Sequence, residues 1–399
     1  MRNRNPRWLW TVLACVGVAL VSVLATGLVM KTKYENGEIG TDLSKYAKLE
    51  EIQELLDAHY VGEYDKDEVM DVLSAAMLAG INDKWAYYTA AEDVQALNED
   101  RTGTYSGIGV TVTQDSETSL LRITEVSEGS PAEEAGLRVL DLIYSVDGQL
   151  VEEIGMDATV ALVRGEPGTS VSIAVVRDDI IYNFTVKRAS VQSQSVKAEV
   201  LEGSIGYIRI SSFTTAAASQ FAEKLDSLVG LGVKSLIIDV RNNGGGSLNT
   251  LLSMLDLLMP EGVVFIEKDV SGEEVSYRVD SSYCDLPLIV LANRYSYSAA
   301  EYFAAVLQEQ GRALVIGEPT TGKGEGQSTF KLSDGSCVSF STIKYYTPAG
   351  VSIGEQGGIE PDVNISLTDE QLAGIGYVEA EKDPHISAAL ERLKPEAQN

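Results

Sequence analysis

Two residues, Ser298 and Lys323, stand in settings that suit chemistry. Ser298 lies in Asn293-Arg294-Tyr295-Ser296-Tyr297-Ser298-Ala299-Ala300-Glu301, between an apolar run over 287–292 and a helix-like stretch. Lys323 lies in Thr320-Thr321-Gly322-Lys323-Gly324-Glu325-Gly326-Gln327, after a second apolar run over 313–316. A serine hydroxyl is a weak nucleophile and needs a base beside it. The two histidines, His59 and His385, are remote in sequence from both segments, so lysine is the better-placed base. It serves only when neutral, and an ordinary lysine, with a pKa of about 10.4, is roughly 0.04% neutral at pH 7. Burial supplies the bias against the cation, and Gly322 and Gly324 let the backbone carry the amine into a tight pocket. Gln327 can hydrogen-bond that amine without adding charge, whereas a carboxylate there would keep the lysine protonated. Gly244-Gly245-Gly246 at a helix start offers N–H groups to a developing oxyanion, with Ala299 N–H as the natural second donor. Alone, the triplet reads equally well as a tight strand-to-helix turn.

The elements that must position these groups read as an α/β core. From Ser204 onward strands alternate with helices: a strand over 205–210, a helix over 216–229, and a strand over 236–240 that is apolar except for Asp239. The glycine triplet then turns into a helix over 248–259, stopped by Pro260, and a hairpin turns at Asp334-Gly335. Upstream, residues 104–189 are short β-like runs with glycine turns. They include Gly107-Ile108-Gly109-Val110, a helix opened by Ser130-Pro131, and a strand entering the Asp147-Gly148 turn. A helix near 156–163 and strands over 171–187 follow. This order resembles a PDZ domain, in which loop N–H groups hold a peptide carboxylate while the peptide adds a strand to the sheet edge. The resemblance places that loop on Gly107, Ile108 and Gly109. Residues 34–103 read as an acidic helical stalk, with Leu43, Tyr46, Leu49, Ile52 and Leu55 at helical spacing. Packing on the main body and packing on a second copy, as a homodimer, both stay open.

The net charge of −28, from 31 Lys and Arg against 59 Asp and Glu, argues against nucleic acid as a partner. The 399 residues suffice for two or three domains with real cores. Arg2, Arg4 and Arg7 precede an uncharged stretch from Trp8 to Met30, about 35 Å long as a helix and enough to cross a bilayer. Lys31 and Lys33 follow it, soon offset by Glu35, Glu38 and Asp42, which places the arm in the cytoplasm and the remainder outside. The stretch is longer than the apolar part of a signal peptide, so an uncleaved, single-pass anchor in the cell membrane is expected. Cys284 and Cys337 are candidates for a disulfide but lack diagnostic spacing. Neither a CxxC nor a histidine cluster is present, so no metal or other cofactor is expected.

Several motifs in order carry a further resemblance. They are Asp239-Val240-Arg241-Asn242-Asn243-Gly244-Gly245-Gly246, the run Ser296–Glu301, Thr321–Gln327, Tyr345-Tyr346-Thr347-Pro348-Ala349-Gly350 and Gly358-Ile359-Glu360-Pro361-Asp362. With the PDZ-like region, and Asp83-Lys84-Trp85-Ala86-Tyr87-Tyr88 before it, the chain from about 45 to 365 resembles the C-terminal processing (tail-specific) peptidases. The resemblance implies a ClpP/crotonase-like α/β peptidase core over 190–380 and a PDZ domain over 104–189; the charge and apolar pattern adds the anchor over 1–33, and residues 381–399 are left as a tail. It implies a serine endopeptidase that cuts extracytoplasmic proteins near accessible C-termini. Ser298 falls on the nucleophile, Lys323 on the base, Gln327 on its supporting amide, and Gly245 and Ala299 on the oxyanion donors. Arg164, in the turn beside the PDZ-like helix, is a candidate for reporting peptide occupancy to the core. The sequence departs from the family pattern at Arg294, Tyr295 and Tyr297, and at Gly244, where proline is common. An inactive PDZ scaffold is disfavoured by the intact Ser298, Lys323 and Gln327, and a crotonase-type acyl-CoA enzyme by the anchor and PDZ domain. Gly317–Lys323 also fits GxxxxGK, but Gly324 replaces the hydroxyl that would hold Mg²⁺.

Overall fold

The computed structural model describes residues 46–115, 118–280, 282–376 and 380–394. The expected anchor over 1–33 lies outside them. Among the described residues no helix is long and apolar enough to cross a membrane. The chain forms two units, divided at Met70. In the first, helix α1 (Ala47–His59) leads to the start of α2 (Lys66–Ala79). Their turn is tied by Asp57, which accepts from Tyr64 Oη (2.6 Å) and Lys66 Nζ (2.8 Å). Helical spacing predicted α1 and α2; within the helical region expected over 34–103, a short strand stands between α2 and the next helix. In the second unit, residues 87–89 are a strand, β1 (Tyr87–Thr89), and α3 (Val94–Thr102) ends at Gly103, φ +68°.

A PDZ-like sheet comes next. Its strands β3 (Val110–Gln114), β4 (Leu121–Val126), β5 (Leu142–Val146), β7 (Ser170–Arg177) and β8 (Ile180–Lys187) pair in that order, leaving one edge of β3 open. Short β6 (Gln149–Leu150) pairs with β5 across the predicted Asp147-Gly148 turn. Helix α4 (Pro131–Ala135) is capped by Ser130, whose side chain accepts from Glu133 N. Helix α5 (Val151–Val163) bends at Gly155, φ +77°. Outside this sheet, β2 (Thr104–Gly107) pairs with β9 (Ala189–Gln192).

The core sheet runs β10 (Val196–Leu201), β11 (Ile205–Ile210), β12 (Ser235–Asp239), β15 (Leu288–Ala292), β16 (Ala313–Gly317), β19 (Val363–Asn364), parallel except for β10. Alternate side chains explain its apolar strands. Ile208, Ile238 and Val290 pack with α6 (Thr215–Gly230), α7 (Leu248–Asp256) and α8 (Ala299–Glu309). Tyr207, Ile237 and Ile289 pack instead with Ile386 and Ala389 of α11 (Pro384–Leu393), the helix after short α10 (Asp369–Gly374). Both faces are covered, so neither needs polar residues. Residues 384–393, expected as tail, are therefore part of the core. A second, antiparallel sheet holds β13 (Gly262–Asp269), β14 (Glu274–Val279), β17 (Glu325–Lys331) and β18 (Cys337–Tyr346), and β1 joins it along β18. Cys284 and Cys337 are both free thiols.

Candidate active site

β12 and β15 end side by side, and the loops that leave their carboxyl ends carry the glycine triplet and the serine, as is usual for sites on parallel sheets. Two asparagines join these loops. Asn293 Oδ1 accepts from Asn242 N (3.0 Å), and Asn293 Nδ2 donates to Asn242 Oδ1 (2.8 Å). Buried Ser296 donates to Val240 O (2.8 Å) and accepts from Asn293 N (3.0 Å). So braced, the chain enters α8 through Ser298 at φ +57°, ψ −127°, a conformation that costs a residue with a Cβ about 1–3 kcal/mol. The Ser298 side chain makes no capping bond to α8. Gly245 (φ +87°) backs onto it: a Cβ there would stand 2.8 Å from both Ser298 Cβ and Ala299 N.

Residues 299–307 of α8 are all buried, and Glu301 is their one charge. Its carboxylate accepts from Gly322 N (2.7 Å), Lys323 N (3.0 Å) and Thr320 Oγ1, and also from the backbone of Ser298. Burial pushes the Glu301 pKa up, and these donors oppose the shift. One side chain thereby fixes the serine turn against the lysine loop. Sequence reading missed this role, although Ser298 and Glu301 have the spacing of a capping box. The lysine loop also presses on the backbone of 354–358, next to short helix α9 (Ile353–Gln356). A Cβ on Gly322 (φ +82°) would lie 2.6 Å from Gly357 C, and one on Gly324 2.6 Å from Gly354 N. Strand β17, not a helix, follows Lys323, which removes the phosphate-loop reading.

Lys323 is buried, and desolvation pulls its pKa below the ordinary lysine value; Lys84 adds to the shift, while Asp83 and Glu325 oppose it. Its Nζ donates to Gln327 Oε1 (2.7 Å), and Gln327 Nε2 donates to the Trp85 carbonyl. Nζ also lies 4.5 Å from the centre of the Trp85 ring, which stacks on Tyr297 (5.8 Å, 20°). The Tyr345 hydroxyl bonds Lys323 O and reaches Ser298. Ser298, Lys323, Gln327, Gly245 and Ala299 all line one cavity of about 770 Å³, whose apolar wall includes Phe213, Leu251 and Phe265. The Gly245 N–H, however, donates to Asn243 Oδ1 (2.8 Å). The oxyanion role expected of it from the sequence would require this N–H to be shared or its peptide to rotate.

The PDZ-like residues lie apart from this cavity. Ile108 O accepts from Ala132 N (2.9 Å) and Gly109 O from Ser127 N (2.9 Å). Since the C=O and following N–H of a trans peptide point opposite ways, the Gly109 and Val110 N–H groups face away from those donors. Gly109 has φ +84°, and a Cβ there would meet Ser130 Cβ at 2.4 Å. Arg164 does not touch the cavity residues. Its Nη1 pairs with Glu99 Oε2 of α3 (3.3 Å), and its guanidinium lies 5.8 Å from the Tyr105 ring centre.

Comparison with known proteins agrees with this geometry. Residues 204–365 match Peptidase family S41, and residues 122–177 match the PDZ domain. The chain is 30% identical to the carboxy-terminal processing protease CtpA of Bacillus subtilis, over 92% of this chain and 79% of that protein. It is 33% identical to a carboxyl-terminal-processing protease of Synechocystis sp., over 79% of this chain and 75% of that protein. A solved structure of a candidate S41 protease from Bacteroides fragilis superposes with a TM-score of 0.52, covering 84% of this chain and 98% of that one, at 17% identity, a likeness of fold alone. With a strained serine, a desolvated lysine and a PDZ sheet in one chain, and two relatives at this level of identity, the protein belongs to peptidase family S41 and is a serine-type, carboxy-terminal processing endopeptidase.

Proposed function

We propose that this peptidase is anchored in the cell membrane by its N-terminal apolar stretch and trims extracytoplasmic proteins near C-termini held by its PDZ domain, using Ser298 and Lys323. The carrying observation is that Lys323, desolvated in the cavity it shares with Ser298, is met by the neutral Gln327 Oε1 at 2.7 Å. No carboxylate lies within ion-pairing distance of its Nζ among the described residues. Such a lysine can lose its proton, as a general base requires. Ser298 Oγ then attacks the scissile carbonyl while Lys323 takes its proton. The carbonyl oxygen gains charge against Ala299 N–H and a freed Gly245 N–H. Lys323 returns the proton to the leaving amine, and water releases the acyl group by the same path in reverse. The apolar wall of the cavity suits an uncharged side chain at the cut.

The substrate's end would extend β3 at its open edge, with its carboxylate on the N–H groups of the Gly107–Gly109 loop. Arg164 offers a route for this occupancy to be felt. It holds Glu99, and Arg101 of the same helix donates to Tyr87 Oη (2.9 Å) and to Thr329 and Ser339 hydroxyls beside the cavity. If Arg164→Ala left peptide-stimulated turnover unchanged, that route would be discarded. The dyad is tested by casein hydrolysis with wild type, Ser298→Ala and Lys323→Ala. Each variant is expected to lose at least about 10³-fold in kcat while staying folded; an active Ser298→Ala enzyme would refute the reading. Profiling the C-termini of secreted proteins with wild type and Ser298→Ala then identifies substrates.

A further inference from the structure

Trp85 takes no part in the chemistry read above, yet it holds two of the residues that do. Its ring faces Lys323 Nζ and its carbonyl takes the Gln327 amide, leaving Gln327 Oε1 turned toward the lysine. We propose that Trp85, braced by Tyr297, is a positioning residue that keeps Lys323 dry at rest and steadies the ammonium it becomes on taking the Ser298 proton. The inference rests on the Ser298–Lys323 reading given under Proposed function.

A lysine base has opposed needs. At rest its cation must be disfavoured, yet in the transition state that same cation must form. A carboxylate on Nζ would favour the cation throughout and hold the base protonated. An aromatic face does less: it covers the amine from water, while its quadrupole attracts the charge as it develops. Tryptophan is the strongest ring for that purpose. The indole Nε1 is buried with no hydrogen-bond partner among the described residues, a cost that a phenyl ring of similar use to the fold would avoid. The bracing falls where this chain departs from the family pattern. Tyr297, where the family pattern has alanine, stacks on Trp85, and its hydroxyl would lie 2.6 Å from a Cβ at Gly244, where the pattern commonly has proline.

Charged and titratable groups around Lys323 come from each neighbouring element. Asp83 and Lys84 precede Trp85, Glu325 lies on β17, Glu301 on α8 holds the Lys323 N–H, and Tyr345 on β18 holds its carbonyl. Substituting Trp85 removes none of them, but Lys84 Nζ also lies 4.6 Å from the Trp85 ring centre. The same substitutions made in a Lys84→Ala background separate the effect of the ring on the pH profile from that of a displaced Lys84. The test is kcat/KM against pH for the full chain on a fluorescent casein, comparing wild type with Trp85→Phe, Trp85→Leu and Trp85→Ala. In Trp85→Ala water reaches Nζ, the acidic limb moves to higher pH, and kcat/KM at pH 7 falls at least about tenfold but recovers as the pH is raised. Trp85→Leu keeps the amine covered without a π face. Its acidic limb moves to lower pH, and its plateau falls roughly threefold to tenfold. Trp85→Phe stays within about threefold of wild type. KM changes little, because Trp85 is not among the cavity-lining residues. Identical acidic limbs in the Leu and wild-type enzymes overturn the proposal, and this pair decides the matter if Trp85→Ala fails to fold. Activity in a Lys323→Ala control would sink the dyad itself; an inactive control with unmoved Trp85 profiles sinks only this inference.

Discussion

Lys323 occupies a place that a stability-maximising chain would give to an apolar residue. Its amine is desolvated, and its pKa lies below the ordinary value. The linkage is direct. Between the lowered folded pKa and the unfolded one, the unfolded chain binds more protons, so the lysine makes folding weaker as pH falls through that window. Lys323→Met keeps the length and apolar stem while removing the titration. It is expected to abolish turnover, yet to melt at the same or a higher temperature than wild type at neutral pH, with the difference shrinking as the pH is raised. A thermal melt series from pH 7 to pH 10 checks this; a variant less stable throughout would mean that the Gln327 contact, not desolvation, dominates the site. Ser298 tells the same story in its backbone, since its positive φ is held by Ser296 and the paired Asn242 and Asn293. Residue type announced Ser298 and Lys323 in the sequence. Beyond the capping-box spacing of Ser298 and Glu301, it did not announce Glu301 or Trp85, because their remaining roles arise from contacts 21–22 and 238 or more residues away along the chain, which local spacing cannot display.

Elements were legible in proportion to how local their causes are. The Ser130-Pro131 helix start, the Asp147-Gly148 and Asp334-Gly335 turns and the apolar strand ending at Asp239 depend on neighbouring residues, and each formed where the sequence placed it. β1 did not read as a strand because three residues have no usable period; it exists through its pairing with β18, Tyr87 opposite Ser339 and Thr89 opposite Cys337. That pairing delivers Trp85 to the lysine. The two loops that meet at Ser298 show a coupled departure from the family pattern, and it is testable. A Cβ at Gly244 would meet Tyr297 Oη at 2.6 Å and Cζ at 2.8 Å, closer than packed atoms allow, although a side-chain tip can yield. Gly244→Ala is expected to lower kcat/KM by about tenfold, whereas adding it to Tyr297→Ala should cost less than about threefold. A double-mutant cycle on casein hydrolysis measures the coupling. Additive losses would show that the two positions are independent.

At the scale of the whole molecule, the C-terminal helix closes the core through charge as well as packing. Arg241, fully buried, pairs with Asp239 (2.7 Å) at the end of β12 and with Asp383 (2.9 Å) at the start of α11, while Nη1 also meets His385 Nδ1 (3.3 Å). The same loop runs on into the glycine triplet, so α11 helps set the floor under Gly245, the proposed oxyanion donor. Nothing in the local pattern of 381–399 distinguishes a tail from such a latch, because its partners lie far back in the chain. Burial lowers the His385 pKa, with Arg241 acting in the same direction; Asp383, Asp239 and the Ile365 carbonyl oppose it. The folded form therefore holds the imidazole neutral. Stability from this site is complete above the unfolded histidine pKa of about 6.5 and is lost as pH falls through and below it, where the unfolded chain takes a proton that the folded one resists. The latch should loosen in mild acid. His385→Gln retains hydrogen-bonding capacity without titrating, so its melting temperature should fall less than that of wild type between pH 7 and pH 5. Parallel curves for the two proteins would show that the acid sensitivity of the core lies elsewhere. Activity measured across the same range should follow the wild-type melting curve only where α11 has begun to release Arg241, because Arg241 stands in the loop that runs on to Gly245, the proposed oxyanion donor.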